Sequence, residues 1–210
     1  RLVGVFDTDE SRRQLVAREF GVRTFSDESG FANADAVDIV VPTPGHFEMA
    51  RQALACGKDV LVEKPVPATL EEALELERLQ RESPRILMVG HLFRYNPALD
   101  CAVTLLRGGE IGRIRFLRGR FLGFRFKEHD AGVLATTAIH FIYVSNHLMG
   151  KFPQTVRAET RFLLDQELDD HCIIRLNYDG SEFSVIESDY FGPGKYRTFD
   201  IVGTRGSIVL

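Results

Sequence analysis

The feature that most constrains the fold is an alternation of short apolar runs with amphipathic helical segments in the first half of the chain. The apolar runs are continuous, as is typical of strands covered on both faces, and lie at residues 2–6, 36–42, 59–63 and 85–91. Helical segments lie between them at 10–21, at 45–57 and from 69 onward. Gly21 and Gly57 end the first two, and Thr69 with Glu72 forms a capping box that begins the third. This order predicts a parallel, doubly wound α/β sheet with right-handed crossovers.

The second half has a different pattern. A helix near 97–107 precedes a segment at 112–126 in which apolar and basic residues alternate, which is typical of a strand with one buried face. A helix at 133–149, ended by Gly150, separates that strand from further predicted strands at 155–164, 170–177, 182–190, 196–202 and 207–210. Successive strands with one internal helix predict an α+β domain with a large, mostly antiparallel open sheet. The boundary is expected near residue 92.

Composition excludes several classes of function. The 210 residues carry 26 basic and 30 acidic side chains, a net charge of −4, with no basic tract, which argues against nucleic-acid partners and a membrane surface. No apolar run reaches the length of a membrane span. Cys56, Cys101 and Cys172 are widely spaced without a CxxC pair, which favours a reduced, cytoplasmic setting. The histidines lack ligand-like spacing, so no metal is expected.

Polar or backbone-restricting residues follow the predicted parallel strands. They are Asp7, then Pro42 to His46, then Glu63-Lys64-Pro65, then His91 to Asn96. Open parallel sheets bind ligands beyond the carboxyl ends of their strands, so these four segments are expected to line one crevice. The Glu-Lys pair has a second interpretation, as ordinary rim charges at the end of a strand.

Asp7 lies where a dinucleotide fold places the acid that binds ribose hydroxyls, and such an acid favours NAD over NADP. The alternative is a cap of the turn that follows it. A strand, a GxGxxG-type turn and a helix are expected before such an acid, but the chain begins at Arg1 inside what reads as the second strand. We therefore expect a chain truncated at its N-terminal end, and the family resemblance described below implies truncation at the C-terminal end as well.

Three motifs at fixed spacing, PTPGH at 42–46, EKP at 63–65 and RYNP at 94–97, together resemble the Gfo/Idh/MocA family of NAD(P)-dependent dehydrogenases. The similarity extends over nearly the whole chain. It implies that residues 1–92 form an incomplete Rossmann domain, which lacks its first strand and Gly-rich turn. It also implies that residues 93–210 form a domain for substrate binding and oligomerisation. The implied reaction transfers a hydride between a sugar or polyol and NAD, with NADP as the alternative, in a dimer or tetramer built through the open sheet.

The resemblance also implies roles for individual residues. Lys64 and His140 are the expected catalytic pair. The expected cofactor-binding residues are Asp7, Pro42, Thr43, Pro44, His46, Glu63, Lys64, Pro65 and Arg94. The expected substrate-binding residues are Lys64, Tyr95, Asn96, Asp130, Thr136 and His140.

The chain departs from the family around the expected catalytic histidine. Thr136, Phe141 and Tyr143 occupy positions where relatives commonly carry aspartate. Loss of the acid at 136 removes an expected partner of the imidazole, and Asp130 is the nearest substitute in sequence. These departures keep open an alternative, a non-catalytic member that acts as a sugar-binding or oligomerisation module.

The unperturbed pKa values of histidine and lysine indicate different roles for His140 and Lys64. Histidine starts near about 6.5 and accepts a proton readily, whereas lysine starts near about 10.4. We therefore expect His140 to be the acid/base and Lys64 to stabilise charge on the substrate oxygen. The alternatives are a satisfied helix histidine at 140 and a rim lysine at 64.

Overall fold

The computed structural model describes residues 1–66, 69–124, 131–164 and 167–210, and the chain divides into two compact units, Arg1–Gly90 and His91–Leu210. No helix in these described stretches has the length and apolar character needed to cross a bilayer.

The first unit alternates strands and helices. Its strands are β1 (Gly4–Phe6), β2 (Arg23–Phe25), β3 (Ala36–Ile39), β4 (Asp59–Val62) and β5 (Leu87–Val89). Its helices are α1 (Glu10–Phe20), α2 (His46–Ala55) and α3 (Leu70–Glu82), with 3₁₀ turns at Glu28–Asn33 and Thr43–Gly45. Gly21 ends α1 in the left-handed region at φ 63°, and the capping box of Thr69 and Glu72 at the start of α3 is confirmed.

All strand pairs of this unit are parallel, as predicted. β1 pairs with β2, and β3, β4 and β5 form a separate sheet in that order. These neighbours correspond to strands 2-3 and 4-5-6 of the dinucleotide-binding order 3-2-1-4-5-6, in which strand 1 lies between strands 2 and 4. The expected continuous sheet is therefore present as two parallel sheets, because β1 and β3 share no ladder within the described residues.

The core of the first unit lies between α2 and the three-stranded sheet. Ala50 and Ala53 of α2 are fully buried, as is Val62 of β4. The small alanine side chains let the helix backbone approach the sheet closely.

The second unit is built around a six-stranded open sheet. Its strands are β6 (Ile114–Leu122), β7 (Thr155–Arg161), β8 (His171–Asn177), β9 (Phe183–Asp189), β10 (Tyr196–Gly203) and β11 (Ser207–Val209), in the order β11-β10-β6-β9-β8-β7. Its helices are α4 (Pro97–Arg107) and α5 (Ile139–Met149). The expected mostly antiparallel sheet is confirmed, with one parallel ladder between β6 and β9.

One face of this sheet packs on α5. A Cβ at Gly119 of β6 would lie 2.7 Å from the ring of Phe141, so only glycine admits this ring against the strand. Leu117, Ile174, Ile186 and Ile201 point to the same side and are at most 1% exposed. We call this side the inner face and the other side the outer face.

Three features differ from the sequence prediction. β2 was not predicted, because three residues beginning with an arginine give no hydrophobic period. Several strands are shorter than expected, since β3 ends at Ile39 and β5 at Val89. The helix expected at 133–149 begins with a π-helical turn at Leu134–Ala138, a local widening that side-chain periodicity does not encode.

Candidate functional site

In the first unit, the segments after β3, β4 and β5 leave the sheet side by side. Val62 is the register partner of both Ile39 and Val89. The ladder continues one step further, since Glu63 N donates to Ile39 O at 3.0 Å and Gly90 N donates to Val62 O at 2.8 Å. The loop after β3 and the Glu-Lys-Pro segment after β4 are thereby brought together, as predicted for a binding edge of a parallel sheet.

His46 ties these two loops to each other. It is the first residue of α2 and is 2% exposed. Its Nδ1 lies 2.7 Å from Pro65 O, and its Nε2 lies 2.7 Å from Val41 O. The ring therefore bridges the loop after β3 and the Glu-Lys-Pro segment. The expectation that His46 belongs to the cofactor loop stays a prediction.

The loop that His46 supports is the Pro-Thr-Pro-Gly segment. Thr43–Gly45 forms a 3₁₀ turn that runs directly into α2, and Gly45 N donates to Pro42 O at 2.8 Å. Pro42 and Pro44 are exposed and Thr43 is half-buried. The turn is short and restrained by its prolines, so it presents a fixed surface at the strand ends.

Glu63, Lys64 and Pro65 are all half-buried, and the Lys64-Pro65 peptide is cis. The Glu63 carboxylate lies against Gly90 at the end of β5, where a Cβ would approach its atoms to 3.0 Å. Glycine at 90 thus makes room for the carboxylate beside Lys64.

Asp7 follows β1 directly. Its Oδ1 accepts from Asp9 N at 2.8 Å, and its carbonyl oxygen accepts from Arg13 Nη1 at 2.5 Å. The helix cap itself is Asp9, whose side chain accepts from Ser11 N and Arg12 N. A carboxylate has about four acceptor sites, so the turn bond leaves Asp7 with the capacity that a ribose hydroxyl requires. This strand end therefore offers an acceptor of the kind that a ribose hydroxyl requires.

In the second unit, the Arg-Tyr-Asn-Pro motif connects a 3₁₀ turn at Leu92–Tyr95 to α4. Asn96 is the N-cap of α4, and its side chain accepts from Ala98 N at 2.9 Å. Arg94 is paired with Asp100 on α4 at 3.0 Å, and Tyr95 is 64% exposed. The Asn96 cap and the Arg94–Asp100 ion pair hold this turn against the first turn of α4.

His140 lies at the start of α5, 7% exposed, among aromatic rings. Its ring centroid is 4.8 Å from that of Phe93 and 6.3 Å from that of Phe121. Phe93 belongs to the 3₁₀ turn just described, so the turn and His140 meet within the second unit.

Thr136 lies one turn before His140, in the π-helical turn. Its hydroxyl donates to Gly132 O at 2.9 Å and is bonded to the hydroxyl of Tyr190. Because the single threonine proton goes to Gly132, Tyr190 donates to Thr136. Asp169 supports the same turn, accepting from Leu134 N at 2.9 Å. Thr136 thus joins the helix to the chain beyond β9.

The other two departures from the family pattern have distinct structural roles. Phe141 is 2% exposed and packs in the core, 5.1 Å from the ring of Phe199. Tyr143 stacks on His91, with centroids 4.3 Å apart, and lies 6.2 Å from the ring of His147. Burial, and then the charge of Arg94, lower the pKa of His147.

Sequence reasoning missed Phe93, Phe121, Asp169 and Tyr190 around His140. Phe93 lies directly before the Arg-Tyr-Asn-Pro motif, but the other three come from distant strands and loops and give no local signal. Asp130, expected in the substrate site, lies outside the described residues.

Comparison with known proteins identifies both units. The Gfo/Idh/MocA description "Oxidoreductase family, NAD-binding Rossmann fold" matches residues 1–91, and the family's C-terminal domain matches residues 101–209. The chain belongs to the Gfo/Idh/MocA oxidoreductase family. The resemblance, the fold class and NAD as the cofactor of the family are thereby confirmed.

Individual members of the Gfo/Idh/MocA family resemble the chain over different lengths. An scyllo-inositol 2-dehydrogenase (NAD(+)) of Bacillus subtilis strain 168 is 30% identical over 225 aligned residues, covering 100% of this chain and 66% of that protein. A UDP-N-acetylglucosamine 3-dehydrogenase of Acidithiobacillus ferrooxidans is 36% identical over 160 residues, covering 75% and 50%.

Among solved structures of the Gfo/Idh/MocA family, levoglucosan dehydrogenase in complex with NADH and levoglucosan superposes with a TM-score of 0.89. It is 26% identical and covers 99% of this chain and 63% of that one. The chain therefore spans between half and about two thirds of the length of these three proteins.

Proposed function

We propose that this chain carries the cofactor-binding and substrate-binding core of an NAD-dependent sugar or polyol dehydrogenase. The observation that carries the proposal is the Glu-Lys-Pro segment at the carboxyl end of β4, joined through His46 to the Pro-Thr-Pro-Gly loop. NAD, when bound, takes or gives the hydride that the reaction exchanges with the carbon of a secondary alcohol.

Lys64 and His140 have complementary roles in this proposal. The ammonium of Lys64 donates to the substrate oxygen and stabilises the negative charge that develops there. The imidazole of His140 takes the hydroxyl proton during oxidation and returns it during reduction. The rings of Phe93 and Phe121 limit the orientations that His140 adopts.

The remaining predicted site residues divide between cofactor and substrate. Asp7 binds ribose hydroxyls, which favours NAD, with NADP as the alternative. The other proposed cofactor residues are Pro42, Thr43, Pro44, His46, Glu63, Pro65 and Arg94. The other proposed substrate residues are Tyr95, Asn96, Asp130 and Thr136.

We further propose a cytoplasmic homo-oligomer, dimer or tetramer, that forms through the outer face of the open sheet. Phe116 and Phe183, both half-buried, stack on this face with centroids 5.5 Å apart, and Ile173 is 42% exposed farther along it. Cys56, Cys101 and Cys172 are free thiols, which supports a reducing compartment.

Calorimetric titration with NAD, followed by a panel of sugars and polyols monitored at the NADH absorbance, tests the proposal. Binding of NAD and turnover of at least one polyol are expected. NAD binding without turnover across the panel would favour the non-catalytic sugar-binding or oligomerisation module instead. Absence of NAD binding would refute the dehydrogenase assignment for this chain.

The role of Lys64 is tested by Lys64→Ala. Loss of its charge at the substrate oxygen should lower kcat by about 100-fold or more, with NAD affinity retained. Lys58→Ala, just before the opposite end of the same strand, is the matched control and should leave kcat unchanged. Comparable activity of the two variants would show that Lys64 is a rim residue.

A further inference from the structure

A buried pair of hydroxyl groups lies about one turn before His140. Thr137, in the π-helical turn, is 4% exposed, and Ser188 on β9 is 0% exposed. The oxygen atoms of the two side chains are 2.6 Å apart. Buried hydroxyl groups are almost always hydrogen-bonded, and these two bond to each other. The bond therefore joins the π-helical turn, and with it the start of α5, to the open sheet.

The pair also contacts the main chain on both sides. Thr137 Oγ1 lies 2.8 Å from Val133 O, one turn earlier in the helix, and Ser188 Oγ lies 3.0 Å from Phe121 O on β6. Each hydroxyl has one proton, and carbonyl oxygens only accept. One hydroxyl therefore donates to the other, and the second donates to a carbonyl oxygen. In both arrangements a proton lies between Thr137 and Ser188, so the helix stays bonded to the strand.

These bonds connect the two structural elements that meet at His140. Phe121 is the register partner of Ser188, and its ring centroid is 6.3 Å from that of His140 at an interplanar angle of 22°. His140 itself lies three residues after Thr137, so the same bond restrains the backbone that carries the imidazole. The helix with the imidazole and the strand with the stacked ring are thus joined by one hydroxyl pair.

A second buried hydroxyl pair on α5 and β9 provides a reference. Ser145 and Ser184 are both 0% exposed, and their oxygen atoms are 2.8 Å apart. Ser184 is the register partner of Leu117 on β6. The two pairs therefore share chemistry and burial. They differ in the β6 residue beside them, which is Leu117 for this pair and Phe121, whose ring contacts His140, for the other.

We propose that Thr137 and Ser188 are positioning residues for His140, which hold its imidazole in the orientation that proton transfer requires. A base must lie within hydrogen-bond reach of the hydroxyl that it deprotonates, and a displacement of about 1 Å can lower the rate by about 100-fold. The i→i+5 bonds of a π-helical turn change the direction of the side chains that follow it, so anchoring this turn to the sheet sets the direction of His140. This inference rests on the proposed function and names two residues that act through His140.

Kinetics and NMR on the full chain test the proposal. Thr137→Val keeps the shape of the side chain and removes its hydroxyl, while Ser188 retains Phe121 O as a partner. We expect kcat to fall about ten-fold or more, with KM and NAD affinity within about two-fold of the wild type. The ¹H–¹³C ring signal of His140, assigned by its loss in His140→Gln, should shift, because the aromatic rings of Phe93 and Phe121 lie beside it.

Three further variants separate positioning from stability. Thr137→Ser restores the hydroxyl and should recover most of the lost kcat and the wild-type His140 signal. Ser188→Ala breaks the same bond from the strand, should match Thr137→Val, and serves if Thr137→Val does not fold. Ser145→Ala, the matched control, breaks the second pair. It should lower the urea midpoint of unfolding, as Thr137→Val does, but leave kcat and the His140 signal unchanged.

A wild-type kcat or an unshifted His140 signal in Thr137→Val and Ser188→Ala would overturn the inference. So would an equal loss of kcat in Ser145→Ala, which would reveal a general effect of stability, or a Thr137→Ser variant as impaired as Thr137→Val. Absence of turnover by the wild type would refute the proposed function instead. The His140 signal would then still decide whether the two hydroxyls orient the ring.

Discussion

The regions around Lys64 and His140 are held in place by different forces. At Lys64, main-chain bonds between strand ends and the two contacts of His46 with carbonyl oxygens fix the loops. At His140, aromatic side chains and a few hydroxyl bonds surround a helix. The first arrangement depends on backbone geometry, which short motifs encode. The second depends on the packing of side chains that are far apart in sequence.

Of the three variants proposed here, the one that removes a core ring next to His140 is expected to lose the most stability. Phe141→Ala should reduce the free energy of unfolding by about 3–5 kcal/mol, because it leaves a cavity opposite Gly119. Urea unfolding followed by circular dichroism measures this. Phe152→Ala, at a residue that is 82% exposed, is the control. Similar losses in both variants would show that the ring packing does not hold this region.

A smaller loss of stability is expected from removing the His46 ring, which contacts the Glu-Lys-Pro segment and the loop after β3. His46→Leu fills the same space without hydrogen bonds and leaves the carbonyls of Val41 and Pro65 without their ring partner. The free energy of unfolding should fall by about 2–3 kcal/mol, and NAD affinity should fall with it. His147→Leu, on α5, should leave NAD affinity unchanged. If His46→Leu binds NAD like the wild type, the loop is fixed by its backbone alone.

The smallest effect is expected from the hydroxyl bond next to His140. Tyr190→Phe removes one donor to Thr136 and should cost about 1 kcal/mol of unfolding free energy, with a drop in kcat at unchanged NAD affinity. Tyr178→Phe also loses one side-chain bond, to Asn146, and is the matched control. Equal kcat values for the two variants would show that Thr136 and Tyr190 support the fold but do not position His140.

In the first unit, most elements could be predicted from residues close to them in sequence. The cap at Thr69, the glycine that ends α1 and the parallel strands all follow from residues within a few positions of each feature. The strand β2 escaped prediction because Arg23–Phe25 is too short to have a period, and its partner is β1, on the far side of a helix. Its existence is decided by pairing, which is a tertiary interaction.

The candidate site divides in the same way. Lys64 and its neighbours were predicted from where a buried strand ends, since parallel strands bring their carboxyl ends to one edge. Tyr190 could not be predicted, because its importance comes from its bond to Thr136, which is more than fifty residues away in the sequence.

By itself, the sequence determined the order of helices and strands other than β2, the parallel and open sheets, and the Glu-Lys-Pro motif that contains Lys64. These follow from periodicity, capping and strand ends, which act over a few residues. The tertiary structure alone decided that the buried His46 ring contacts two loops and that Phe141 belongs to the core. These facts depend on strand order and register, which bring distant residues into contact and leave no trace in local sequence.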